Sequence, residues 1–108
     1  MANNGANSRG DHLRELLFFT SIVLTDQIQW CFRMKRNMRL SFEDLEHQES
    51  IVQAWTRSFE REDALKTLRQ LKAGCRQEFL KFKRDEVEMK KKRREVLNQL
   101  WGPAFRDE

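Results

Sequence analysis

One proline and four glycines leave this chain few places to turn. Three of the glycines, Gly5, Gly10 and Gly102, lie near the ends, and the proline is Pro103. So few breakers favour a few long helices over many short strands. Cysteine is scarce too. Cys31 and Cys75 are the two present, with no CxxC and no Cys/His cluster near either. That pattern suggests neither a zinc site nor a disulfide framework, and a reducing compartment is the default. The expected localisation is intracellular, cytoplasmic or nuclear. Tyrosine is absent, and hydrophobic residues make up 39% of the chain. At 108 residues, that is one modest core at best, which a partner chain or self-association would complete.

Long apolar runs are missing as well. The most apolar stretch, Leu16 to Leu24, is half of the ~20 residues needed to span a bilayer. Asp26, Gln27 and Gln29 follow it closely, so no transmembrane helix is expected. The N-terminus (MANNGANSRG) is small, polar and without the apolar core of a secretory signal.

Catalytic signatures do not occur. There is no Gly-rich phosphate loop, no metal motif and no His beside either Cys. The carboxylates sit in mixed-charge stretches expected to be solvated. The chain is therefore read as non-enzymatic, with no cofactor and no small-molecule substrate.

Charge is abundant and uneven. Residues 1–54 carry six Lys/Arg against seven Asp/Glu, and residues 55–108 carry fifteen against ten. A basic half invites an anionic partner. Its densest part holds Arg76, Lys81, Lys83, Arg84, Lys90, Lys91, Lys92, Arg93 and Arg94, nine cations against Glu78, Asp85, Glu86 and Glu88. RNA or DNA binding through Lys81, Lys83, Arg84 and Lys90 to Arg94 is the alternative function. The same spacings, Glu86 with Lys90 and Glu88 with Lys92, also support an exposed helix with no ligand at all. The run 90–94 fits a short basic nuclear-import signal too.

The strongest pattern lies between Leu65 and Leu100. One column, Leu68, Cys75, Phe82, Met89 and Val96, is apolar throughout. The other, Leu65, Lys72, Phe79, Glu86, Arg93 and Leu100, alternates apolar with charged. A 3-4 spacing held over about five heptads is what one helix needs to lay a seam along another. Phe79, Phe82 and Met89 are the expected docking seam. Lys72, Glu86 and Arg93 would select register at some cost in stability. Gly74 interrupts the stretch, as a break, a kink or a point of close approach.

Earlier in the chain, residues 13–24 are apolar on nearly every face. A helix hydrophobic all round is buried all round. In so small a protein that requires several helices or another molecule. Leu16, Phe19 and Val23 are the expected partner-binding residues there, with Trp30 and Trp55 helping to hold the fold or interface. The spacing Leu13, Leu16, Phe19, Ile22, Leu24 fits the loose leucine-rich pattern of nuclear export signals. Most amphipathic helices satisfy that pattern, so packing is the reading taken. Residues 27–42 alternate as a strand would, but also suit a helix, and no third strand is on offer.

Boundary signals complete the expectation. Asp11 is a plausible first cap, Ser41-Phe42-Glu43-Asp44 resembles a capping box, and Ser58 suits a further cap. Gly102-Pro103 reads as a helix stop. The expected fold is all-α, a bundle of three main helices near 11–37, 42–58 and 62–101. The first two would form an αα-hairpin, and the third would be long and partly projecting. Residues 1–10 and 102–108 are expected as flexible tails around a single domain, 11–101. The expected function is a small protein–protein interaction module or complex subunit that self-associates.

Overall fold

A computed structural model describes residues 2–102, with side chains described from Gly10 onward. The fold is all-α, and no strand occurs among the described residues. There are two helices where three were expected: α1, Ala2–Gln53, and α2, Phe59–Trp101. The expected tail at 102–108 lies outside the described residues beyond Gly102, as do the side chains of residues 1–9.

The extra break was expected at Ser41, and the chemistry there explains why none forms. A cap helps only where backbone N–H groups lack partners. Between Asp11 and Gln53 there is neither Gly nor Pro, so the i→i−4 ladder satisfies those groups without interruption. Ser41 is exposed on a continuous helix, and Met38, Phe42 and Leu45 around it stay on the half-buried side.

The break occurs at residues 54–58 instead. The amides of Ala54 and Trp55 donate to the carbonyls of Ile51 and Val52 at 3.1 and 3.0 Å, a three-residue tightening that closes α1. Ser58 then caps α2 as the sequence suggests. Its Oγ accepts the Arg61 amide at 3.2 Å, and Glu60 and Glu62 occupy the positive end of the helix dipole. Arg61 Nη2 donates to the Gln53 carbonyl at 3.2 Å, while Nη1 pairs with Glu62 at 2.7 Å. One guanidinium thus satisfies the end of α1 from the start of α2. At the far end, Gly102 takes φ 82° and its amide donates to the Asn98 carbonyl at 2.8 Å. That is the left-handed helix stop that glycine permits.

Gly74 does not break α2. A Cβ there would meet nothing within 4 Å, so close helix approach is excluded too.

The chain divides into two compact units. One is Cys31–Arg84, where the second half of α1 packs antiparallel on the first half of α2. Its core is Val52, Leu65 and Leu68, with Leu45 and Ala64 against it. Beside the core, Lys72 bonds Glu49, and Lys72 and Arg76 lie over the Phe42 ring at 5.1 and 5.7 Å. Met38, Arg39, Phe42, Arg76 and Phe79 line a shallow concavity. The other unit takes Met1–Trp30 with Asp85–Glu108. There Ser21, Leu24 and Ile28 are buried on α1, and Arg93 donates to Thr25 Oγ1 at 3.4 Å. Near its end Arg14 lies 5.9 Å from the Trp101 ring centre.

Candidate interaction surface

The unit containing residues 10–30 presents its apolar residues in two stripes. The inner stripe is Leu17, Ser21, Leu24 and Ile28, half-buried or buried and spaced 4-3-4. The outer stripe is His12, Leu16, Phe19, Val23, Asp26 and Trp30, spaced 4-3-4-3-4 and exposed at every position. At 3.6 residues per turn the two stripes point roughly 150° apart on one helix. Leu16, Phe19, Val23 and Trp30 are 64%, 61%, 54% and 53% exposed. Leu13, Phe18 and Ile22 flank them, also exposed. The expectation that residues 13–24 are buried all round is therefore not met within one chain. A two-helix pairing covers one side of α1, and the sequence supplies apolar residues for two.

The few polar side chains here turn inward on their own backbone. The hydroxyls of Thr20, Ser21 and Thr25 donate to the carbonyls of Leu16, Phe18 and Ser21 at 2.7, 2.6 and 2.9 Å. Local bonding of this kind answers the hydroxyls' demand for partners without water. Phe18 and Phe19 meet edge to face, 6.3 Å between ring centres. From Leu16 to Thr25 there is no charged residue. The surface is apolar, ridged and bounded by charge: Arg14 and Glu15 before it, Asp26 after it.

The other expected partner residues lie elsewhere. Phe79, Phe82 and Met89 are half-buried on the two α2 heptad columns, Phe79 beside Met38 and Phe42. The charged members of the column that holds Phe79 are sheltered as well. Lys72 and Arg93 are half-buried and Glu86 is buried. Glu49 is held below the ordinary glutamate range by the hydrogen bond from Lys72, with Arg69 adding to it and burial opposing it. Trp55 is exposed in the connection between the helices.

The expected nucleic-acid-binding residues fall in both units. Lys81, Lys83 and Arg84 are exposed in the unit of residues 31–84. In the run 90–94, Lys90 pairs with Glu86 at 2.9 Å, and Arg93 turns to Thr25. Lys91, Lys92 and Arg94 are exposed; Lys91 and Arg94, three residues apart, share a face, and Lys92 points away from it. No group of three or more His, Cys, Asp or Glu fit to hold a metal occurs among the described residues. Cys31 is buried and Cys75 half-buried, neither in a disulfide. No described helix is long and apolar enough to cross a membrane.

Sequence reasoning had Leu16, Phe19 and Val23 but missed His12 and Asp26 as members of the same stripe. The signal was present as a second 4-3 column on α1, offset from the first. Comparison with known protein families, curated proteins and solved structures finds no match.

Proposed function

We propose that this chain is a non-enzymatic helical interaction module that self-associates through the outer stripe of α1. One observation carries this reading. Six large apolar side chains between Leu13 and Val23 remain exposed in a segment without a single charge from Leu16 to Thr25. Contiguous apolar patches beyond a few hundred Å² are rare on monomers and mark interaction sites. The inner stripe is already used by the pairing with α2, so the outer one is available to another molecule. Burying it on association supplies the core that 108 residues do not provide alone.

The test is mass in solution. Light scattering on the full chain at moderate salt should give an oligomer, and Phe19→Glu should give a monomer of unchanged helicity by circular dichroism. A wild-type monomer at all accessible concentrations would sink the reading.

A further inference from the structure

We propose that the concavity of Met38, Phe42 and Phe79 is a docking site for an acidic segment of another protein, one that carries a single bulky apolar residue. The site lies wholly within the unit of residues 31–84 and is independent of self-association through the outer stripe.

The floor is apolar and sized for one side chain. Met38, Phe42 and Phe79 are half-buried, each with part of its surface open to the concavity. The space they line is about 170 Å³. An apolar cavity of ~150 Å³ accepts a benzene ring, so one phenyl or leucine side chain fills this one. A free small molecule needs a pocket of about 300–1,000 Å³ that buries most of its surface. A shallow site of this size suits one anchor on a longer chain instead.

The rim is cationic and lacks carboxylate partners. Arg39 comes from α1 and Arg76 from α2, and both are exposed. Among the described residues neither forms an ion pair. Lys72 nearby is engaged with Glu49 at 2.9 Å, and Arg69 approaches the same carboxylate at 3.5 Å. The positions three and four residues from Arg39 and Arg76 on their own helices include Lys35, Arg36 and Lys72 but a single acid, Glu43. Arg76 is also held 5.7 Å from the centre of the Phe42 ring. A guanidinium placed over an aromatic ring keeps its N–H fork for a carboxylate and loses less freedom on binding one.

Floor and rim continue into each other. Phe42 and Arg76 also border a second, more polar depression with Arg69, Lys72, Ala73 and Gln77. A segment anchored on the apolar floor therefore runs along cations, which favour Asp and Glu in it and repel Lys and Arg. A nucleic-acid strand would meet the same cations. Stacked bases need an open aromatic face, however, and Lys72 and Arg76 already lie over the Phe42 ring. The acidic, singly anchored segment uses both the floor and the rim.

Fluorescence anisotropy on the full chain tests the site. The probe is a peptide with one phenylalanine flanked on both sides by glutamates and a neutral dye at its end. Replacing its phenylalanine by serine, or its glutamates by glutamine, should each weaken binding about tenfold. Arg39→Gln and Arg76→Gln should each weaken binding of the intact probe about threefold to fivefold, with circular dichroism unchanged. Lys83→Gln removes an exposed cation of the same unit outside the concavity and should leave affinity unchanged. An oligouridylate should not displace the probe. The proposal fails if the probe does not bind at millimolar concentration, or if the serine or glutamine peptide binds as well. It also fails if Lys83→Gln weakens binding as much as Arg76→Gln, or if the oligouridylate displaces the probe, since either result makes this a general anionic contact. Phe19→Glu should leave probe affinity intact even where it abolishes self-association. A loss of probe binding in that variant would move the site to the outer stripe and overturn the assignment.

Discussion

Lys72 holds its ammonium 2.9 Å from Glu49 Oε2, across the helix pair of residues 31–84. The carboxylate is largely sheltered, and Arg69 approaches its other oxygen at 3.5 Å. A polar pair inside an otherwise apolar seam fixes which residues face each other, because a slip would leave the carboxylate against Leu or Val.

Its pH signature follows from linkage. The folded chain holds Glu49 below the ordinary glutamate range, mainly through the Lys72 hydrogen bond. The stabilisation is complete above the unfolded-state pKa and is lost as pH falls through the depressed folded value. Glu49→Gln should therefore lower the melting temperature at neutral pH and flatten its decline on acidification. Parallel acid limbs for wild type and variant would refute this.

The connection between the helices gives a second expectation. Ser58→Ala removes the Oγ acceptor of the Arg61 amide and should cost about 1 kcal/mol in urea unfolding, whereas Ser58→Asp should be close to neutral. Arg61→Ala strips the Gln53 carbonyl of its charged donor and should cost about 1–2 kcal/mol.

Two glycines in α2 and at its end should respond oppositely to alanine. Gly74 is helical with open space where a Cβ would go, so Gly74→Ala should stabilise by roughly 0.5–1 kcal/mol. Gly102 sits at φ 82°, so Gly102→Ala should destabilise by about 1–2 kcal/mol. Denaturant midpoints of the two variants should move in opposite directions.

The two aromatic positions that sequence reasoning put on partner surfaces separate cleanly. Phe82 is half-buried on the α2 seam and Phe19 is exposed. Phe82→Glu should cut helicity and thermal stability, while Phe19→Glu should spare helicity and lower thermal stability only by the contribution of association. Leu65→Ala, at a site 3% exposed, should cost about 2–5 kcal/mol by the same measurements.

Much of this architecture was legible beforehand. The column from Leu65 to Leu100 could be read because every seventh residue from Leu68 is apolar. The cap at Ser58 and the stop at Gly102 are local chemistry, and they were found where expected. The misplaced break at Ser41 shows the limit of local signals, because a capping motif cannot end a helix whose backbone bonds are already made. The alternation over 27–42 had another origin. Trp30, Phe32 and Leu40 are apolar but exposed, and they interleave with Ile28, Cys31 and Met38 on the inner side. Hydropathy reports that Leu16, Phe19 and Val23 want cover. It does not report that the cover is missing from the chain.

The position of the turn carries a consequence for the order of assembly. Val52 and Leu65 meet across a short connection, whereas Thr25 and Arg93 are separated by 68 residues. Closing a loop costs about 0.6 kcal/mol more for each doubling of its length. The cheapest first contact is therefore the cluster of Val52, Leu65 and Leu68, just beyond the Ser58 cap. The other unit joins residues 1–30 to residues 85–108, so its closure spans the whole of residues 31–84. The segment carrying the outer stripe therefore bears the larger closure cost. A growing chain exposes that stripe before residues 85–108, which complete its unit, have been made.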